Sequence, residues 1–130
     1  MKILQPSGWP QPRGYSNGIA ARGQQVFVAG MIGWDEQRRF ASDDFVAQAR
    51  QALRNIVTVL AAAGARPEHI TRMTWYVTSK REYLAAAQAL GVAYREVIGR
   101  HYPVMTAVEV SALMEDDAKV EIEVTAVVPD

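Results

Sequence analysis

Alternation between apolar and polar residues, the pattern of a β-strand with one buried face, is clearest near the end of the chain. Within Lys119–Val128, one face would carry Val120, Ile122, Val124 and Ala126, and the other face Glu121, Glu123 and Thr125. Thr71–Val77 and Val104–Val110 alternate in the same way. Nearer the start, Ser16–Ala21 and Gln25–Ile32 flank the turn residues Arg22-Gly23-Gln24, which predicts a hairpin.

Two longer stretches have the three- and four-residue spacing of amphipathic helices. The first begins at Ser42, followed by Asp43 and Asp44 as N-terminal acids, and ends at Gly64. Gln48 would lie on its solvent side. The second begins at Ser79 with a capping box to Glu82 and ends at Gly99. The residues that form the two buried stripes are Phe45, Ala49, Leu53, Ile56, Val57 and Leu60, then Tyr83, Ala87, Leu90, Tyr94, Val97 and Ile98.

The order β-β-α-β-α-β-β predicts an α+β fold in one domain, residues 1–130: a single mixed sheet with two helices on one face. Glycines 30 and 33, at the end of a strand, indicate a bulge or a close backbone approach. In a domain of this size, the sheet face without helices is covered either by solvent or by another subunit. We expect that another subunit covers it. That face would carry Met105, Ala107, Glu109, Glu121, Glu123 and part of the row formed by Arg72, Thr74 and Tyr76.

Composition excludes several kinds of chemistry. The 130 residues carry 14 basic and 14 acidic side chains, so the formal net charge is zero, without the basic excess that nucleic-acid binding needs. There is no cysteine for a disulfide, a thiol nucleophile or a thiolate metal site. His69 and His101 have no ligand-spaced partner, so we expect no metal and no cofactor. No segment has the apolar length of a signal peptide or a membrane span, and a cytoplasmic location is expected.

The order of elements and several segments together carry a resemblance to a known family. The segments are Gly14–Gly18, Val28–Ile32, Val46–Leu53, Ala62–Gly64, Tyr102–Val110 and Lys119–Glu123. In this order they resemble the YjgF/RidA family of reactive-intermediate (enamine/imine) deaminases, once described as L-PSP endoribonucleases. The resemblance covers nearly the whole chain. It implies a chorismate-mutase-like fold and a homotrimer that binds small molecules in three clefts between subunits.

The chain departs from the resemblance at one position that matters for substrate binding. Family members that hydrolyse 2-aminoacrylate-type enamines have Pro-x-Arg, in which the arginine binds the substrate carboxylate. Here the sequence is Pro103-Val104-Met105. Methionine has no hydrogen-bond donor and offers a pliable apolar wall, whereas arginine binds carboxylates through a bidentate fork. We therefore expect a non-standard substrate.

The resemblance implies roles for other residues. Tyr15 matches a cleft tyrosine that would pack on a flat substrate, although it could equally be a core residue. Glu121 matches the glutamate that positions the attacking water, although an interface ion pair would suit it as well. The Gly30–Met31 backbone and the amides of Thr106 and Ala107 could bind a carbonyl or an oxyanion beside Met105. Glu109 and Glu123 are interpreted as structural or interfacial.

Three classes of function stay open from the sequence. The first is a hydrolase or deaminase acting on imine, enamine or related unsaturated metabolites. The second is a non-catalytic ligand-binding or regulatory trimer that keeps the cleft. The third and weakest is an endoribonuclease, which the neutral charge disfavours.

Overall fold

The computed structural model describes all residues, 1–130. Six strands and three α-helices follow one another along the chain, with a short 3-10 helix at Pro67–His69. Their bounds are β1 (Lys2–Leu4), β2 (Gly18–Ala20), β3 (Gln24–Ile32), α1 (Phe45–Ala62), β4 (Ile70–Val77), α2 (Lys80–Ala85), α3 (Ala87–Val97), β5 (Val104–Glu109) and β6 (Val120–Val128).

The main sheet has four strands in the order β3-β6-β4-β5. β6 is antiparallel to both of its neighbours, and β5 runs parallel to β4, so the sheet is mixed as predicted. α1 and α3 pack together, and α1 lies on β3 and β6. Between the helices and the sheet lies the core of 19 buried residues, which includes Met73, Trp75, Ile122 and Val124. The predicted α+β architecture is therefore confirmed.

The predicted hairpin of the first two strands is wrong. β2 pairs with β1 in a separate two-stranded sheet, with Ile3 opposite Ile19. Gly23, in the turn that leads to β3, adopts a φ of 145° and packs against the backbone of Val128 and Pro129. A Cβ at this position would overlap that backbone, so glycine is required where the chain enters β3 beside the end of β6.

The helix boundaries follow their capping chemistry. Asp44, not Ser42, is the N-cap of α1, because its carboxylate accepts the Ala47 N–H at 2.9 Å. At the other end Gly64 has a φ of 69°, and its N–H donates to the Ala61 carbonyl, as in a Schellman motif. The predicted second helix is divided at Ala86 into α2 and α3. Its predicted N-cap is confirmed, since Ser79 Oγ accepts the Glu82 N–H at 3.1 Å.

Candidate functional site

The free edge of β5 and the entry segment of the chain form a small apolar pocket. Tyr15, Tyr83, Met105 and Ala107 line this cavity of about 180 Å³. The neighbouring Ser16 fixes Tyr15 against β5, because the Ser16 N–H donates to the Pro103 carbonyl at 3.0 Å. Tyr15 itself is 42% exposed, so it lies on the wall of a pocket and not in the core.

Met105 and Ala107 lie on the helix-covered face of the sheet, which corrects the prediction that they share the open face with Glu121. In the parallel ladder Met105 is opposite the buried Met73, and Ala107 is opposite the buried Trp75. Residues opposite each other point to the same face of a sheet. Val104, Thr106 and Val108 therefore occupy the open face, on which Arg72, Thr74 and Tyr76 were correctly predicted.

Glu109 is also on the helix side, contrary to prediction. Its carboxylate accepts the backbone N–H of Lys80, the first residue of α2, at 2.7 Å. An acid is favourable there because a helix N-terminus carries unpaired N–H groups and a partial positive charge. Glu109 is thus structural, as expected, through a contact that the sequence did not indicate.

On the open face, the Glu121 carboxylate lies against the backbone of Gly30. A Cβ built on Gly30 would be 2.8 Å from Glu121 Cδ and 2.9 Å from Cγ. The absence of a side chain at residue 30 therefore makes room for the carboxylate. Glu121 makes no ion pair or side-chain hydrogen bond. Its neighbour Glu123 does, since it accepts the Tyr76 hydroxyl at 2.5 Å, and this hydrogen bond raises the pKa of Tyr76.

Two stretches of backbone near these groups differ in what they can bind. Between Val28 and Met31 the register of the β3–β6 pair shifts, so a bulge interrupts the ladder at Gly30, as the glycines predicted.

On β5, the Pro103 carbonyl accepts a hydrogen bond from Ser16 on the outer side, whereas the Val110 N–H donates to the Val77 carbonyl on the β4 side. By alternation the Ala107 amide faces the free edge and the Thr106 amide faces β4. Of those two amides, only that of Ala107 is directed toward a ligand at the edge.

A second, aromatic pocket adjoins the first along the helix side of β5. Its volume is about 220 Å³, and Met105 and Tyr83 line both pockets. The rings of Tyr94 and Tyr102 stack with centroids 5.6 Å apart, and the Tyr94 hydroxyl donates to the His101 carbonyl at 2.5 Å. Burial raises the pKa of both Tyr83 and Tyr94, so the phenols stay neutral. Its full lining is Gly14, Trp75, Tyr83, Leu90, Gly91, Tyr94, Arg95, Tyr102 and Met105.

Sequence reasoning missed the part of this pocket formed by α3 and β4. Leu90 and Tyr94 were assigned only to a buried helical stripe, and Trp75 only to a strand. Gly91 and Arg95 were not singled out, although a glycine within a helix, one turn before an arginine, is a usable signal for a space beside that helix.

Both histidines contact backbone. His69 Nδ1 accepts the Arg66 N–H at 3.0 Å, and His101 Nε2 lies 2.6 Å from the Ile70 carbonyl. No group of three or more potential metal ligands comes together, and none of the helices is long and apolar enough to cross a membrane. A larger cavity of about 700 Å³ lies elsewhere, between the start of α1 and the loop before β6, and contains none of the predicted site residues.

The predicted site residues thus form two groups on opposite faces of the sheet. Tyr15, Met105 and Ala107 line the edge pocket on the helix side, whereas Glu121 meets Gly30 on the open face. β4 separates the strands that carry Met105 and Glu121. No pocket of a single protomer therefore contains all of these groups.

A mixed four-stranded sheet with helices on one face and a small apolar pocket at the edge strand β5 defines a class of small α+β domains. A family model described as Endoribonuclease L-PSP matches residues 10–128. The chain is 32% identical over 105 residues to the 2-iminobutanoate/2-iminopropanoate deaminase of Salmonella typhimurium, covering 81% of this chain and 80% of that protein.

Solved structures agree with this match. The Rid-family protein YyfB from Yersinia pestis superposes with a TM-score of 0.83 at 27% identity, covering 98% of both chains. TdcF of E. coli, solved with bound serine, gives a TM-score of 0.69 at 30% identity, covering 98% of this chain and 99% of that one. The chain belongs to the YjgF/RidA family.

Proposed function

We propose that this protein is a hydrolase that releases ammonia from small imines or enamines in clefts between the subunits of a homotrimer. A relative at 32% identity is named a deaminase of 2-iminobutanoate and 2-iminopropanoate. The observation that carries the proposal here is the packing of the Glu121 carboxylate against Gly30, which leaves a carboxylate without a salt-bridge partner on the open sheet face.

The separation of these groups within one protomer supports the association of subunits. Each protomer offers an aromatic half-site at Tyr15 and Met105 and, on the other face, a carboxylate half-site at Glu121. A second copy would complete the cleft by bringing its Glu121 to the first copy's Tyr15. The open face is suited to such contact because Phe27 is 72% exposed there, opposite Thr125.

The reaction needs one proton-transferring group and one water. An enamine takes up a proton at carbon and becomes an iminium ion. Glu121 accepts a proton from water as the water oxygen bonds to the iminium carbon, and the protonated carboxyl then returns the proton to nitrogen. The C–N bond then breaks and ammonia leaves, while the hydroxyl oxygen loses its proton to solvent and forms the carbonyl at the same carbon. This proton balances the one that the enamine took up from solvent at carbon. The free-edge Ala107 amide and the Gly30–Met31 backbone would donate to the carbonyl or developing oxyanion.

The substrate differs from that of relatives that bind a carboxylate through arginine at this position of β5. Met105 contributes only apolar surface to both pockets. We infer that small 2-imino acids such as 2-iminopropanoate are poor substrates, and that substrates with a larger apolar body are better ones.

A second candidate is a ligand-binding protein without catalysis. Met105 favours it, because the pocket at this residue can hold an apolar ligand without a reaction. An endoribonuclease is the weakest alternative, since the balance of 14 basic and 14 acidic side chains provides no excess of positive charge for phosphates.

The test compares Glu121→Gln with the matched control Glu123→Gln, two residues along the same strand face. The imine is generated in situ by an amino-acid oxidase, and formation of the 2-oxo acid and ammonia is followed. We expect Glu121→Gln to lower the rate by roughly two decades or more, the contribution of a general acid–base group, and Glu123→Gln to retain most of it. Catalysis by Glu121 would be rejected if both variants lost the same fraction of the rate. It would also be rejected if the wild-type protein were no faster than buffer with every imine tried.

A further inference from the structure

We propose that Arg95, on α3, is the cation that binds the substrate carboxylate, and that the aromatic pocket beside it receives an apolar body attached to that carboxylate. The proposal rests on the proposed function in one respect, namely that the bound carboxylate belongs to a substrate. Binding of a carboxylate beside Arg95 can be tested without catalysis. Met105 on β5 has no hydrogen-bond donor for a carboxylate. Arg95 on α3 would bind the carboxylate in its place.

The arginine side chain folds back over its own helix. Arg95 Nη1 would lie 3.1 Å, and Nη2 3.7 Å, from a Cβ built on Gly91, one turn earlier in α3. The glycine therefore leaves the space in which the guanidinium lies. Both residues line the aromatic pocket. A side chain larger than that of alanine at residue 91 would compete with the guanidinium for this position.

The guanidinium of Arg95 has no protein partner. The structure contains two salt bridges, Arg50–Glu96 and Arg66–Glu68, and Arg95 takes part in neither. Although Glu96 is adjacent in sequence, its carboxylate is 3.1 Å from Arg50 Nε. A free planar fork at the mouth of a pocket suits a carboxylate, which can accept two parallel hydrogen bonds from it.

Trp75, which also lines this pocket, has an unsatisfied buried donor. Trp75 is 3% exposed, and its indole Nε1–H is the one buried side-chain polar group without a hydrogen-bond partner. Such orphaned groups are rare in folded proteins because each costs a desolvation penalty.

The remaining walls determine what the carboxylate is attached to. Tyr83, Leu90, Tyr102 and Met105 give apolar and aromatic surface around a volume of about 220 Å³. Ligand pockets of this type combine apolar walls with a few polar groups that fix orientation. The ligand class is therefore a monocarboxylate with a compact apolar or aromatic body, and the corresponding substrates are 2-imino acids with such side chains.

Binding of benzoate, with benzamide as its neutral analogue, tests the proposal by isothermal titration calorimetry on the intact protein. We expect wild type to bind benzoate more tightly than benzamide. Arg95→Gln should weaken benzoate binding roughly tenfold while changing benzamide binding less than twofold, because only the charge-assisted hydrogen bonds are lost. The matched control is Arg100→Gln, at an exposed arginine that does not line the pocket, and it should retain benzoate affinity.

Equal affinity of wild type for the two probes, or equal loss in the Arg95 and Arg100 variants, would overturn the proposal. A second variant adds Met105→Arg to Arg95→Gln and should restore benzoate binding, since both positions line the same pocket. If the double variant has an unchanged melting temperature and does not recover, the carboxylate is not beside Met105. Ammonia release by the same variants separates the two proposals: Arg95-dependent binding without turnover contradicts only the proposed function.

Discussion

At the scale of single residues, two glycines each make room for a charged group. Gly30 admits the Glu121 carboxylate, and Gly91 admits the Arg95 guanidinium. Neither glycine has a positive φ, so backbone conformation does not require glycine at these positions. The space beside each glycine is what a side chain would remove.

Gly30→Ala should therefore separate activity from stability. The new Cβ would displace the end of the Glu121 side chain, and a displacement of about 1 Å at a reacting group costs roughly tenfold to a hundredfold in rate. The double variant Gly30→Ala/Glu121→Gln should be no slower than Glu121→Gln alone, because the two changes act on the same group. Additive losses in ammonia release, or a lower melting temperature that accounts for the loss, would contradict this interpretation.

Several residues show why the site could be predicted only in part from the sequence. The alternation of Val104–Glu109 fixes which residues share a face but not which face is covered, because both sets contain apolar residues. Glu109 resembled a solvent-facing acid, yet it contacts the N-terminus of α2. Gln48, assigned to a solvated face, is 1% exposed and bonds to the Asp117 carbonyl and the Lys119 N–H. These contacts join residues far apart in sequence, which no local pattern contains.

At the scale of elements, bounds set by hydrophobic period and capping residues were predicted to within about two residues. β4, β5 and β6 follow the predicted alternating segments closely. The errors arose where the outcome depends on tertiary pairing. Lys2–Leu4 is a three-residue strand whose partner β2 is recognisable only once the entry segment has folded back. The division at Ala86 likewise has no glycine or proline to mark it.

Substitutions at Gly91 test the role of α3. Gly91→Ala should raise stability by about 0.5–1 kcal/mol, because glycine is unfavourable within a helix, and the flexible guanidinium needs to move only slightly. Gly91→Leu should also keep the helix but fill the pocket, so benzoate affinity should fall at least tenfold. Thermal melts and calorimetry on both variants check this. Unchanged benzoate affinity in the leucine variant would mean that the ligand does not lie beside α3.

At the scale of the whole molecule, the sequence predicted an open sheet face but assigned part of it wrongly. The face bears Phe27, Val108 and Tyr76 with Glu121 and Glu123, whereas Met105 and Ala107 belong to the opposite side. Within one protomer the sheet separates Met105 from Glu121, and the proposed shared cleft would bring such groups together from two copies. A homotrimer with a cleft at each subunit boundary would join Tyr15 of one copy to Glu121 of the next.

Mixing two inactive variants tests this shared cleft most directly. Tyr15→Ala and Glu121→Gln proteins, each with little activity alone, are unfolded together in equal amounts, refolded, and assayed for ammonia release. If each cleft takes Tyr15 from one subunit and Glu121 from its neighbour, random assembly leaves both groups intact in one cleft in four, so the mixture should recover about one quarter of wild-type activity. Refolded mixtures that are trimeric but no more active than the separate variants would contradict a cleft shared between subunits.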